Sequence, residues 1–299
     1  MGGKKIVAGL IAAAGVHWLS GCARDKPITV GSKNFTEQVI LGEIVAQHVS
    51  LRLSQRVDRK LNLGGTLLAH QAMLQGGLDL YPEYTGTALT AILKLPLSSD
   101  PNDGLARVRS EYQKRFNIVW LDPLGFNNTF AMVIRGPDAR RNKIESLSDA
   151  ARYADGKEGW TLGVGYEFQQ RPDGLPGLVK TYRLPVKGSP KTMDLGLLYK
   201  ALEQKQVDMV AANATDGLLS VMDVKVLTDD KRYFPPYQAA LTVRADALAA
   251  HPGLKDALDL LSGKFSDEIM RALNYQVDGK HRPVGEVALT FLRAAGFLA

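Results

Sequence analysis

The stretch Leu78–Thr87, LDLYPEYTGT, gathers side chains that can hold a small charged ligand. Leu78-Asp79-Leu80-Tyr81 alternates in the manner of a short strand. Pro82 has no N–H and is expected to stop strand pairing there. Glu83 and Tyr84 follow, then Thr85-Gly86-Thr87, then the helical apolar pattern Ala88, Leu89, Ala91, Ile92. Polar and aromatic groups therefore fall between a strand's carboxyl end and a helix's amino end, where open α/β sheets bind ligands. The free N–H groups of a helix start favour an anion. The ring face of Tyr84 favours a cation by about 0.5–2 kcal/mol, depending on desolvation. A ligand carrying both charges suits the place. The same residues also describe an ordinary Tyr-Pro turn packed on a core.

The pattern occurs twice. AMLQGGLDLYPEYTGT from Ala72 aligns with ALEQKQVDMVAANATD from Ala201. Ala72 pairs with Ala201, Gln75 with Gln204, Asp79 with Asp208 and Tyr84 with Asn213, always 129 positions apart. Each copy reads helix, tight turn, strand, polar loop, helix. Two such units predict two similar lobes, each presenting a loop to a shared cleft. Chance similarity between two αβ units is the competing explanation.

The elements that must position these loops alternate along the chain. Pro27–Gly31 reads as the first strand. SKNFTEQ leads into an amphipathic helix, with Asn34 and Glu37 spaced as a variant capping box. Val57–Leu63 reads as the second strand, and Gly64-Gly65 turns it into a helix capped by Thr66. A loop over Leu95–Gly104 precedes a helix from Leu105 to Phe116. Gly136–Asn142 reads as a polar loop. A helix is expected over Leu175–Tyr182 and another over Thr215–Met222. Two prolines keep Tyr233–Tyr237 out of a helix. Gln238–Arg244 is a strand, and the tail is helical, including Val284–Ala294. Strands alternating with helices give an α/β class with a mostly parallel sheet in each lobe. Crossings near 129 and 236 make the second lobe an insertion in the first, and a hinge crossed twice permits clamshell closure. The expected division is a leader over 1–21, a first lobe over 22–128 plus 237–299, and a second lobe over 129–236.

The 299 residues suffice for two domains, and 45% hydrophobic with 23% charged residues is the composition of a globular protein. The net charge is +6, with no block of five like charges, so no nucleic-acid-binding arm is visible. Cys22 is the one cysteine, which excludes an intrachain disulfide and a thiolate metal cluster. Lys4 and Lys5 precede a mostly apolar run from Ile6 to Leu19, too short to span a bilayer. Leu19-Ser20-Gly21-Cys22 then resembles a bacterial lipobox, which implies cleavage before Cys22 and acylation of its thiol. The mature chain is expected outside the cytoplasmic membrane, held there by its lipid anchor alone.

GSKNFTEQ, NLGGTLLAHQAMLQGGLDLYPEYTGTAL, LDPLGFNNTFAM, GYEFQQRPDG, VDMVAANATDG and DDKRYFPPYQAA occur in one order over most of residues 28–245. Together they resemble the substrate-binding proteins of ABC importers for glycine betaine, choline and related quaternary amines. The resemblance implies a type II periplasmic-binding-protein fold, with two α/β lobes, two connecting strands and a ligand in the cleft. It also implies an aromatic cage around a trimethylammonium, with basic and hydroxyl groups on a carboxylate. Tyr84 and Tyr237 match two cage tyrosines. Phe130 stands where a third tyrosine is usual, and Asn213 where a fourth aromatic is common. Asn128 matches a position that supports the cage through its backbone carbonyl. Lys33, Thr87 and Arg171 match the carboxylate-binding positions. The partners implied are a small zwitterion and the permease and ATPase of an importer, as separate chains; no cofactor is implied, and a monomer is expected.

The chemistry agrees with these roles. A quaternary ammonium has no N–H to donate, so ring faces select it, whereas a carboxylate suits a planar guanidinium, an ammonium and a hydroxyl. The amide of Asn213 removes one aromatic wall at a cost on the order of 1 kcal/mol. It leaves open a different zwitterion: an amino acid, a proline-like osmolyte or a betaine with a polar side chain. An enzyme is the second class. Glu37, Glu83, Glu167 and His70 are available, but no HExxH, GxSxG or P-loop accompanies them. A ligand-sensing module without transport is the third.

Overall fold

The structure, a computed structural model, describes residues 26–298. The expected leader and Cys22 lie outside the described residues. Ten strands form two five-stranded sheets: β1 (Ile28–Gly31), β2 (Val57–Lys60), β3 (Leu80–Tyr84), β4 (Ile118–Asn127), β5 (Phe130–Arg135), β6 (Leu162–Val164), β7 (Lys191–Thr192), β8 (Met209–Asn213), β9 (Val224–Val226) and β10 (Gln238–Arg244). The first sheet runs β2-β1-β3-β10-β4 and the second β7-β6-β8-β5-β9. In each, four strands run one way and one, β10 or β5, is antiparallel to both its neighbours. The chain passes from the first sheet to the second between β4 and β5 and returns before β10. No described helix is long and apolar enough to cross a membrane.

Helices cover both faces of each sheet. Alternate residues of β10 divide between two cores: Ala239, Leu241 and Val243 pack with the helix Thr36–Leu53, and Ala240 packs on the opposite face with Tyr81 and Trp120. Period-two alternation thus serves two buried faces rather than one buried and one wet. The second sheet has the same two-sided packing, with Met132 and Ile134 on one face and Ala131 and Val133 on the other.

The repeat is a structural one. The helices Thr66–Leu74 and Leu195–Glu203 have equal length and the same 129-residue offset, and so do β3 and β8. The turns match as well: Gly77 N–H donates to Ala72 O at 2.8 Å and Gln206 N–H to Ala201 O at 2.9 Å. Asp79 accepts the Thr29 N–H at 2.7 Å and Arg244 Nη2 at 3.2 Å. Asp208 accepts the Thr161 N–H at 3.3 Å and Arg135 Nη2 at 2.9 Å. Each aspartate thereby ties the strand entering the cleft to the parallel strand beside it and to the reversed one.

Several elements differ from the reading of the sequence. β3 continues through Pro82, which pairs with Leu241. β1 pairs with β3 only at Leu80, so the strand beyond has one ladder partner, the setting that tolerates a missing N–H. Gly136–Asn142 is a helix with Pro137 in its first turn, where a fixed φ helps. The helix expected from Leu105 begins at Pro101, because Asp100 accepts the Asn102 N–H at 2.9 Å. Thr215–Met222 shrinks to a short 3₁₀ turn, Gly217–Ser220. The N-cap of Thr36–Leu53 is Phe35, without a side-chain cap bond, so the Asn34/Glu37 capping box does not form. The N-cap of the helix Thr66–Leu74 is Gly65, with Thr66 as its first residue.

Candidate functional site

Strands of both sheets end at one cavity of about 350 Å³, within the range of small-ligand sites. Tyr84 closes β3 and Asn213 closes β8; Phe130 opens β5, and Tyr237 precedes β10. Asn128 lies in the link between β4 and β5. Lys33 follows β1, Thr87 lies in the turn of helix after β3, and Arg171 ends the short helix Tyr166–Gln170. All eight residues, Lys33, Tyr84, Thr87, Asn128, Phe130, Arg171, Asn213 and Tyr237, line this cavity. Phe130 and Asn213 are ladder partners on adjacent strands, which fixes them side by side.

Rings and cations are interleaved rather than gathered at opposite ends. Lys33 Nζ stands 4.7 Å from the Tyr84 ring centroid. The Arg171 guanidinium carbon stands 5.4 Å from the Phe130 centroid and 5.8 Å from that of Tyr237. Phe130 and Tyr237 meet edge to face at 5.6 Å, and Phe168 meets Phe130 at 4.8 Å. Both cations are buried and paired. Lys33 Nζ donates to Glu83 at 2.6 Å. Arg171 Nε donates to Asp173 at 2.9 Å, a second arm reaches the other Asp173 oxygen, and Nη1 donates to Thr87 Oγ1 at 3.2 Å. Burial opposes the Asp173 charge, but the bonds from Arg171, with those from Tyr237 and Thr90, outweigh it and hold its pKa below the usual range. Burial raises the Tyr237 hydroxyl well above its ordinary pKa, with the Asp173 charge adding to it. Tyr237 therefore donates to Asp173, at 2.6 Å, as a neutral phenol.

Glu37 has a role that its spacing did not announce. Its buried carboxylate accepts from Tyr84 Oη at 2.6 Å, Asn128 Nδ2 at 2.8 Å, Thr215 Oγ1 at 2.5 Å and Asn274 Nδ2 at 3.3 Å. Burial raises its pKa, and the bonds from Thr215, Tyr84 and Asn128 work against that rise. The carboxylate holds the Tyr84 hydroxyl and joins it to the segment after β8. Phe35, Tyr166, Glu167, Phe168 and Met193 also line the cavity. Phe35 lies in SKNFTEQ, and Tyr166, Glu167 and Phe168 in GYEFQQRPDG. Their signal was the placement of aromatic residues soon after β1 and β6.

Asn213 stands at a boundary. A second cavity of about 670 Å³ shares Asn34, Phe35, Gly64, Asp194, Leu195 and Asn213 with the first. Asp216 and Asp278 line it, and burial raises the pKa of both, Asp216 to about 6. The Asn213 amide thus borders both spaces. Among the described residues no group of three or more His, Cys, Asp and Glu side chains could hold a metal ion.

The chain is similar to known proteins over most of its length. Residues 26–294 match the family described as the substrate binding domain of ABC-type glycine betaine transport system. The ergothioneine transport permease/ergothioneine binding protein EgtU of Helicobacter pylori is 35% identical over 290 residues, covering 95% of this chain and 50% of that longer protein. The carnitine transport binding protein OpuCC of Listeria monocytogenes is 34% identical, covering 92% of this chain and 88% of its own length. A solved structure of a glycine betaine/carnitine/choline ABC transporter superposes with a TM-score of 0.75 at 30% identity, covering 90% of this chain and 99% of that one. With the family matched across nearly the whole described chain and two α/β sheets meeting at a common cleft, this protein belongs to the substrate-binding domains of ABC-type glycine betaine transport systems.

Proposed function

We propose that the chain captures a compact zwitterionic quaternary amine, such as glycine betaine or carnitine, in the cavity between its two sheets. The observation that carries this reading is the convergence of Tyr84, Phe130 and Tyr237 with Lys33, Thr87 and Arg171 on one cavity. The rings attract the methylated cation; Arg171, Thr87 and Lys33 receive the carboxylate. Interleaving them suits a ligand whose two charges are only a few bonds apart. Asn128 supports the cage and Asn213 borders it. The lobes are 22–128 plus 237–299 and 129–236, hinged at the two crossings. The chain hands its ligand to a separate permease and ATPase, acts as a monomer and catalyses no reaction. Acylated Cys22 anchors it outside the cytoplasmic membrane.

A second reading extends the ligand. The neighbouring space, bordered by Asn213 and lined by Asp216 and Asp278, favours a betaine whose side chain reaches into it with hydrogen-bond donors. Ergothioneine, named for the Helicobacter relative, is such a betaine. A calorimetric series with glycine betaine, carnitine, choline, ergothioneine, proline and amino acids tests both readings. Tight binding of the first two supports the cage, and preference for ergothioneine supports the extension. Saturable binding of neutral amino acids alone overturns both. Arg171→Ala is expected to weaken glycine betaine by at least about tenfold and choline, which has no carboxylate, by less. Equal losses remove Arg171 from the carboxylate.

A further inference from the structure

Glu167 reaches across the cleft and binds the start of a helix that belongs to the other sheet. Its Oε1 accepts the Thr66 N–H at 2.5 Å, and its Oε2 accepts Thr66 Oγ1–H at 3.0 Å. The helix Thr66–Leu74 has no cap of its own, because its N-cap is Gly65. An uncapped helix start exposes unpaired N–H groups and a partial positive charge, and a carboxylate satisfies both. Helix caps usually come from the residue next door; this one comes from 101 positions away. Gly65 leaves room for it, since a Cβ there would lie 2.4 Å from Glu167 Oε1. The pseudo-equivalent position 194 in the other unit is an aspartate, so the repeat does not demand glycine. The bond also touches both cations of the site: Lys33 Nζ lies 3.4 Å from Thr66 Oγ1, and Arg171 Nη1 lies 3.8 Å from Glu167 Oε2.

We infer that Glu167 is a positioning residue that latches the cleft shut over its ligand by capping the helix Thr66–Leu74 from the opposite sheet. The cap forms only while the two sheets are close, so it stabilises the closed form and slows ligand release. In an open form the carboxylate returns to water and the helix start loses its partner. This inference rests on the ligand-capture reading above.

The test is a double-mutant cycle on the full chain, with glycine betaine as the probe. Glu167→Ala removes the cap. Gly65→Ala pushes the flexible Glu167 side chain aside without removing its charge, and the backbone at Gly65, φ −75°, accepts alanine. Each single variant is expected to raise the release rate in stopped-flow fluorescence by about tenfold, the worth of one helix cap. The double variant is expected to be no worse than either one, because the second change finds the latch already open. Thermal unfolding of ligand-free protein reports whether each variant folds, and Gly65→Ala carries the test if Glu167→Ala does not. Release rates at the wild-type value, or losses that multiply in the double variant, overturn the latch. Small-angle scattering without ligand separates this from the ligand reading. If glycine betaine gives no saturable response but both variants enlarge the radius of gyration, the glycine betaine reading fails and the latch stands. If the radius is unchanged as well, the latch fails with it.

Discussion

In residues 66–84 the strand ends on Tyr84, a buried ring whose hydroxyl donates to Glu37 at 2.6 Å. In residues 195–213 the matching strand ends on Asn213, a half-buried amide beside Asp216, whose carboxylate accepts the Asn213 N–H at 3.0 Å. Behind these tips the two units agree bond for bond: the same helix length, the same turn, the same aspartate holding two neighbouring strands. The helix starts differ again, Gly65-Thr66 taking its cap from Glu167 where Asp194-Leu195 does not. The scaffold bonds are what both units need in order to fold. The tips face the cavity, where the ring can attract a methylated cation and the amide can only exchange hydrogen bonds. Divergence confined to the cavity-facing ends therefore points to ligand selection and not to folding.

The comparison breaks most visibly at the shared aspartates. Asp79→Ala leaves the Thr29 N–H without its partner and Arg244 with Asp246 alone, and about 2–3 kcal/mol of stability is expected to go. Asp208→Ala is expected to cost less, because that side chain is 40% exposed and its Thr161 bond is longer. Denaturant unfolding of the two variants measures both; a larger loss at Asp208 contradicts the common plan. Next come the tips. Tyr84→Ala removes a ring of the proposed cage and a donor to Glu37, and calorimetry is expected to show at least tenfold weaker glycine betaine, or about 1.4 kcal/mol or more. Asn213→Tyr restores the ring that the second unit lacks. It is expected to tighten glycine betaine about three- to tenfold and to weaken any betaine that uses the second cavity. No gain for glycine betaine, with no loss for ergothioneine, sinks the claim that Asn213 selects the ligand.

The smallest effect concerns protons. Burial raises Asp216 to about 6, so the folded protein holds a proton that the unfolded chain, with an ordinary carboxylate pKa, releases earlier. That group's contribution to stability therefore rises as pH falls through about 6 towards about 4. Asp173, held below the ordinary range, behaves oppositely: its contribution is present above about pH 4 and is lost on further acidification. Asp216→Asn is expected to flatten the gain between pH 7 and 5 by roughly 2–4 °C in thermal midpoint, the equivalent of about 1 kcal/mol. An unchanged pH profile contradicts the burial of that charge.

Much of this was legible in the chain. The strand Gln238–Arg244 and the helices Leu175–Tyr182 and Val284–Ala294 have the bounds that local pattern predicts. The repeat was visible because its aspartates and its turn keep one offset. What local reading missed depended on distant partners. Pro82 sits inside a strand because β1 has already ended beside it. Glu37 looked like a cap because residues 84, 128, 215 and 274, which supply its donors, are scattered along the sequence. Glu167 looked like a spare carboxylate because the helix it caps lies in the other unit. The eight residues carried over from the family resemblance meet in one cavity; their interleaving of cations with rings depends on how loops from both sheets meet, which no motif records.

A crystal structure of the chain grown with glycine betaine tests the central claim most directly. The account predicts the trimethylammonium against the faces of Tyr84, Phe130 and Tyr237, and the carboxylate within hydrogen-bond reach of Arg171 and Thr87. Glycine betaine bound elsewhere, or turned so that its carboxylate meets the rings, contradicts it.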